Sequence, residues 1–229
     1  MGFDGLPHGL PVFLSELKSN NSREWFEANK AAFQTVCVAP MLELIEALAP
    51  VAGSLVPPHK AEARVNGSLR RIHRDTRFSR DKSPYHDHLH LIFWTGSHPN
   101  RSAGIHFVFS GEGVGMGAGH WAFDEVQLNR WRKAVTDYKA MGALEKLIED
   151  AATIGCGTEE PVLKKLPAGH AATGLAGEML RQKGLVVRTG EHEPWPDALF
   201  GRTAIDWIAS RMAILAGIDD WLGKHVYRG

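Results

Sequence analysis

Cysteine is scarce in this chain. Cys37 and Cys156 are its two cysteines in 229 residues, too few for a disulfide framework or a cysteine-based metal site. Two reduced, buried thiols are the expected state, with one bridge between them as the alternative. Neither sign of charge is in excess. Lys+Arg and Asp+Glu both number 26, so no global field draws the chain to DNA or to a membrane. No apolar run approaches the roughly 20 residues that a bilayer span requires. The opening MGFDGLPHGL lacks the basic segment and apolar stretch of a signal peptide. Leu6 stands where a myristoylation signal carries Ser or Thr. These absences make the cytoplasm the expected location. No Gly-x-Ser-x-Gly elbow, His-Glu-x-x-His helix or Walker loop occurs, and no cofactor is implied.

What is present suits a folded domain. Hydrophobic residues make up 44% and charged residues 23%, enough for a real core at this length. No repeat, low-complexity tract or long linker divides the chain, so one domain over residues 1–229 is expected.

The hydrophobic periodicity places the elements. Asn21 is expected to cap a helix, with Glu24 completing a capping box. Phe26, Phe33, Val36 and Cys37 mark its apolar face. Pro40 kinks or restarts the helix, and Met41, Leu44, Ile45 and Leu48 carry the pattern to a break at Pro50. Leu69–His73, Leu89–Trp94, Ile105–Phe109 and Val114–Ala118 read as strands, the last two joined by a turn at Ser110-Gly111-Glu112-Gly113. Asp124, with Gln127 as box partner, starts a helix whose face carries Trp131, Val135 and Tyr138. Residues 141–152 and 173–183 read as helices, and Gly184 stops the second. Leu185-Val186-Val187 reads as a late strand. The last helix is expected from near Asp197 through Leu199, Ile205, Ile208, Met212 and Leu215. Strands in the middle and helices around them, without βαβ alternation, predict an α+β fold. Its central sheet is expected to be largely antiparallel.

Neutrality conceals a local excess. Between Lys60 and Lys82, Lys60, Arg64, Arg70, Arg71, Arg74, Arg77, Arg80 and Lys82 face only Glu62, Asp75 and Asp81. Guanidinium forks suit carboxylates and phosphates. Arg74, Arg77 and Lys82 are therefore candidate ligand-binding residues for a small, anionic, possibly phosphorylated molecule. Asp75 and Tyr85 are the candidate acid/base pair, and Arg23 and Asn29 join if the first helix packs over the loop. Two other readings stand beside this one. Alternating Arg and Asp also builds purely structural salt-bridge networks. The basic segment would equally serve a non-catalytic interaction module for an acidic protein or nucleic acid. A concave pocket around Arg74, Lys82 and Tyr85 would favour the small ligand; a flat or convex basic surface with exposed aromatics would favour the module.

Two further patterns carry chemistry. His86, His88 and His90 recur at period two, which puts them on one strand face. They are the alternative metal-ligating set, with His106 and His120 as additions. Gly111, Gly113, Gly115, Gly117 and Gly119 alternate strictly. Gly113 to Ala118 fits a G-x-G-x-x-A string, but on a strand rather than in a strand-to-helix turn. The expected role is therefore close packing of a helix or an aromatic ring, with a ligand on that face as the lesser reading.

The stretch Phe13-Leu14 … Leu17 … Asn20-Asn21-Ser22-Arg23-Glu24-Trp25-Phe26 … Asn29-Lys30 resembles the opening signature of the DUF2461 family. The stretch Arg74-Asp75-Thr76-Arg77-Phe78-Ser79-Arg80-Asp81-Lys82-Ser83-Pro84-Tyr85 resembles its second. Gly117-Ala118-Gly119-His120-Trp121, and Leu163-Lys164-Lys165-Leu166-Pro167 with Lys183, fit less tightly. The chain departs from the pattern at His86, where the resemblance implies Lys, and at Ala122-Phe123, where it implies His-Pro. The resemblance covers nearly the whole chain and implies no activity.

Overall fold

Alternation along three central strands decides the architecture. In the computed structural model, which describes residues 3–99 and 102–227, β1 spans His88–Trp94, β2 Gly104–Ser110 and β3 Val114–His120. β4 (Cys156–Thr158) and β5 (Leu185–Thr189) complete an antiparallel sheet in the order β1-β2-β3-β5-β4. Leu89, Leu91, Phe93, Ile105, Phe107, Phe109, Val114, Met116 and Ala118 turn to one face and are buried. Helices cover that face: α8 (Ala204–Leu222) packs on β2 and β3, α1 (Gly9–Ser19) on β2, and α6 (Tyr138–Ala152) on β4. One hydrophobic core joins these elements, so the chain is an α+β domain.

The N-terminal helices follow from their proline and caps. Ser22 caps α2 (Arg23–Ala28) by accepting from Trp25 N at 3.2 Å. Asn21, the expected cap, has another role. Its amide nitrogen donates to Tyr85 O at 2.9 Å and its oxygen accepts from Tyr85 N at 3.1 Å. Tyr85 also stacks on Phe26 at 4.0 Å. The two family signatures are therefore clasped together.

The short α3 (Lys30–Ala32) leads through a π-helical turn, Phe33–Val38, into α4 (Ala39–Ser54). Pro40 has no N–H to offer Val36, and the wider turn, with Ala39 N bonding Gln34 O, absorbs the loss. Pro50 does not end the helix as expected. Both Pro50 and Glu46, whose carbonyl loses its donor, are exposed, so that carbonyl is open to solvent and its lost bond costs little. The helical run Lys30–Ser54 is long and apolar enough by composition to cross a membrane, contrary to the expectation that no such run exists. Its Met41, Leu44, Ile45 and Leu48 lie in the core.

Other elements depart from expectation. Leu69–His73 forms no strand of its own but runs along the free edge of β1. Arg70 N bonds His90 O and Ile92 N bonds Ser68 O, both at 2.9 Å. The capping box Asp124–Gln127 starts α5 (Glu125–Thr136) as predicted. Tyr138 is not on its face, because Asp137 ends α5 and caps α6 through Ala140 N, leaving Tyr138 exposed. α7 covers only Gly174–Leu180, and a 3-10 turn at Asp197–Phe200 precedes α8. β4 had no sequence signal beyond its position after α6. Met1 and Gly2 of the opening segment lie outside the described residues.

One polar pair is sealed in the core. His59 Nε2 lies 2.9 Å from Asp219 Oδ2, and His59 Nδ1 lies 2.7 Å from Pro57 O. Neither side chain is solvent-accessible. Pro57 follows a cis peptide bond. Burial pushes the Asp219 carboxyl up, and the His59 hydrogen bond offsets part of that. Removing one partner strands the other in a medium that cannot solvate it. Asp219→Ala should therefore lower unfolding free energy by about 3–5 kcal/mol, read as a reduced urea midpoint at unchanged slope. A loss below about 1 kcal/mol would show that the pair contributes no more than an exposed one.

Candidate functional site: the open face of the sheet

The face of the sheet opposite the helices is built from the positions that alternation excludes from the core. His88, His90 and Ile92 of β1 and His106 and Val108 of β2 point to it, together with Gly115, Gly117 and Gly119 of β3. The edge segment supplies Arg70 and Arg71, the loop after it Asp75 and His86, and β5 with its following loop Arg188 and His192. Together they line a cavity of about 840 Å³, within the range of small-molecule sites. Among the described residues, three guanidinium groups and seven imidazoles line it, and Asp75 is the one carboxylate.

One contact in this cavity joins two histidines. His90 Nε2 and His106 Nδ1 are 2.7 Å apart, with ring centroids 5.0 Å apart. The register pairs His106 with Ile92 and with Gly117, so His106 sits diagonally across from His90. Burial, then the neighbouring His106, pushes His90 down to about 3. Burial, then Arg70, pushes His106 down to about 4. Both rings are therefore neutral at pH 7. Around them, burial also lowers His86, His120 and His192. His120 Nδ1 is 2.9 Å from the Tyr227 hydroxyl, and His192 Nδ1 is 2.8 Å from Ser110 Oγ.

His86, His88 and His90 do share one face, as their alternation predicts. They do not close on a common point: His86 neighbours His88 at 5.1 Å between rings, while His90 turns to His106. Among the described residues, no three His, Cys, Asp or Glu side chains are grouped to hold a metal ion.

The glycine strand has a different purpose from the one its pattern suggested. At Gly111 a helix does approach, since a Cβ there would lie 2.2 Å from Ser15 Oγ of α1. Along β3 the neighbours are instead the next strand and its loop. A Cβ on Gly115 would lie 2.8 Å from the His192 ring, and one on Gly117 would lie 2.6 Å from Arg188 Cβ. Gly119 has φ +122°, and a Cβ there would meet Leu185 O at 2.0 Å, a conformation open to glycine alone. Bare backbone thus lets Arg188 and His192 lean over β3 toward the cavity.

The site residues expected from the sequence are divided by the fold. Arg23, Arg74 and Tyr85 line a separate cleft of about 330 Å³ with Glu27, His73, Thr76 and Pro84. Asp75 lines the large cavity instead, so it and Tyr85 border different hollows. Arg77 lies outside both. It holds Asp75 by Nε and Nη2 and keeps that carboxyl down at about 2. Lys82 Nζ donates to Thr76 O at 2.9 Å, outside either hollow. Arg74 binds Asp81 and donates to Ser83 O at 3.2 Å. Asn29 ends α2 and donates to Trp25 O at 2.8 Å, a local bond within its own helix. Sequence reasoning passed over Arg188 and His192, whose approach depends on the bare β3 backbone, and had no basis for joining His90 to His106.

The site defines a class: an α+β domain with a basic, imidazole-rich cavity on the uncovered face of its sheet. Residues 10–221 match the family described as "Conserved hypothetical protein (DUF2461)". The chain belongs to that family. No curated protein and no solved structure matches it.

The neutral dyad has a consequence for acid stability. Both folded pKa values lie below the ordinary 6.5. Between pH 6.5 and about 4 the unfolded chain therefore binds protons that the folded chain refuses. Stability is full above pH 6.5 and falls as pH drops through this window, by up to about 1.4 kcal/mol per pH unit for each ring. His90→Gln/His106→Gln should flatten that limb of the urea-midpoint profile. Parallel profiles for the two proteins would refute the assignment.

Proposed function

We propose that this protein binds a small anionic molecule in the sheet-face cavity, as a binding protein or as an enzyme acting on that anion. The observation that carries this reading is the lining itself: among the described residues, Arg70, Arg71 and Arg188, the last also paired with Glu159, surround a concave hollow with one carboxylate, Asp75, already held by Arg77. An anion entering here exchanges water for guanidinium donors in a partly desolvated site, where charge-assisted hydrogen bonds are strong. Burial, then Arg71, lowers Arg70, so an anionic ligand would relieve an existing electrostatic cost. Phosphate and carboxylate groups both fit this chemistry. The cleft with Arg23, Arg74 and Tyr85 is the smaller candidate for the same kind of ligand.

One observation supports the interaction-module reading. Phe78 is 94% exposed on the basic loop, with the Arg77 guanidinium 5.7 Å from its ring centroid. Against it, Arg64, Arg74 and Arg77 are each paired with a carboxylate nearby in the chain, which leaves less charge for a partner.

A thermal-shift series with inorganic phosphate, pyrophosphate and small carboxylates decides among these readings. A ligand at a hundredfold excess over its Kd stabilises the native state by about 2.7 kcal/mol, a rise of roughly 5–10 °C for a chain of this size. The rise should vanish in Arg70→Ala and Arg188→Ala and persist in Arg74→Ala. Loss in Arg74→Ala alone would move the site to the small cleft. Affinity only for long polyanions, steeply salt-dependent and insensitive to Arg70→Ala, would favour the module.

A further inference from the structure

We propose that the anion bound in the sheet-face cavity carries a heteroaromatic ring, as a nucleotide does, and that Trp121 and His120 hold that ring. The inference rests on the anion-site reading and adds the second half of the ligand.

The end of β3 supplies the first observation. Period two would send His120 to the core face with Ala118 and leave Gly119 on the open one. Gly119 instead has φ +122°, which breaks the alternation. Beyond it both His120 and Trp121 line the cavity. Trp121 is 67% exposed, and it is the one indole or phenyl ring among the described lining residues. A tryptophan left in water adds little to the core. On the wall of a hollow it offers a π face on which another flat ring can stack.

His120 adds a directed hydrogen bond. Its Nδ1 lies 2.9 Å from the Tyr227 hydroxyl. Burial, then Asp219, pushes Tyr227 up, so that hydroxyl keeps its proton. Its acceptor among the described residues is His120 Nδ1. Burial lowers His120, which makes the ring neutral with its hydrogen on Nε2. That nitrogen bonds no described group and is not sealed from solvent. On a ring that lines the cavity, it presents an N–H to a ligand there. A ring nitrogen or carbonyl oxygen of a base stacked on Trp121 would accept from it.

The register separates this corner from the arginines. Arg70 and Arg71 run along the free edge of β1, and Trp121 follows β3. Three strand spacings put the two ends at least about 14 Å apart at the backbone. Inorganic phosphate or a small carboxylate reaches one end alone. A nucleoside diphosphate, with its ring and its phosphates on either side of a sugar, reaches both. At the arginine end, Arg71 makes no ion pair or side-chain hydrogen bond with a described residue.

Binding to the full chain tests this, with pyrophosphate as the control that lacks a ring. ADP or UDP should bind about tenfold more tightly than pyrophosphate, the scale of one base–aromatic stack. Trp121→Ala should remove that difference and leave pyrophosphate binding unchanged, and Trp121→Phe should restore most of it. Trp121 is largely exposed, so neither change opens the core. Nucleotides that bind no tighter than pyrophosphate, or an advantage that survives Trp121→Ala, would overturn the ring site.

Nitrogen-15 spectra separate the two halves of the ligand. The chain has seven tryptophans, and the indole signal missing in Trp121→Phe belongs to Trp121. ADP and adenosine should both move that signal upfield through the ring current of the base, and pyrophosphate should not. His120 should carry its hydrogen on Nε2, and Tyr227→Phe should release it to a mixture of tautomers. A native His120 with its hydrogen on Nδ1 would overturn its role as donor. Absence of a pyrophosphate-induced rise in melting point would count against the anion site. Adenosine then judges the ring site alone, and an unmoved Trp121 signal would overturn it.

Discussion

Everything on the open face depends on the antiparallel register of β1, β2 and β3. Side chains alternate at period two, so a slip of one residue would send Leu91 and Phe107 to the cavity and His90 and His106 into the core. The apolar half of each strand resists that exchange strongly. Burying a single Leu or Phe side chain is worth roughly 1.5–3 kcal/mol, and burying unpaired imidazoles would cost more still. The core helices therefore hold the chemistry in place without touching it. Helix α8, by packing on the apolar side of β2 and β3, fixes where His106 stands on the other.

The same register explains the glycines. His106 faces Gly117 and Val108 faces Gly115, so β3 contributes backbone but almost no side chain to the cavity floor. The missing volume is taken by Arg188 and His192 from the neighbouring strand and its loop. Larger residues on β3 would push those two groups away. The strand is bare so that its neighbours can reach in, which is a positioning role rather than a dinucleotide loop.

The sequence was most informative where one local pattern decided the outcome. The apolar alternation of β1 to β3, the Asp124 capping box and the period-two histidines all appear where the pattern puts them. It was least informative where two distant segments meet. The motif residues Asn21, Phe26 and Tyr85 are conspicuous in the sequence, and their main contacts are with one another. Asp75 and Arg77, read as parts of an anion site, hold each other on the surface. A run of Arg and Asp announces ion pairs but not whether their partners are ligand or loop. The His90–His106 bond needs the strand pairing first, and Arg188 needs both the pairing and the bare backbone of β3. Local chemistry was legible; its convergence was a property of the sheet.

The cavity combines two opposed electrostatic demands. Arginines around a partly desolvated hollow raise the potential there, which suits an anion and penalises any further cation. Histidines placed in that field cannot easily protonate, and the rings at its floor are lowered most. Isolated neutral imidazoles would leave buried donors and acceptors unmatched, at a cost of about 1–3 kcal/mol for each unsatisfied group. Joining His90 to His106 satisfies one nitrogen of each ring while leaving the other open. Burial keeps the dyad neutral first, and the positive field that would hold an anion adds to that effect. An anion bound beside it would weaken that field and raise both rings, so the protonation of the dyad and the occupancy of the cavity are thermodynamically linked.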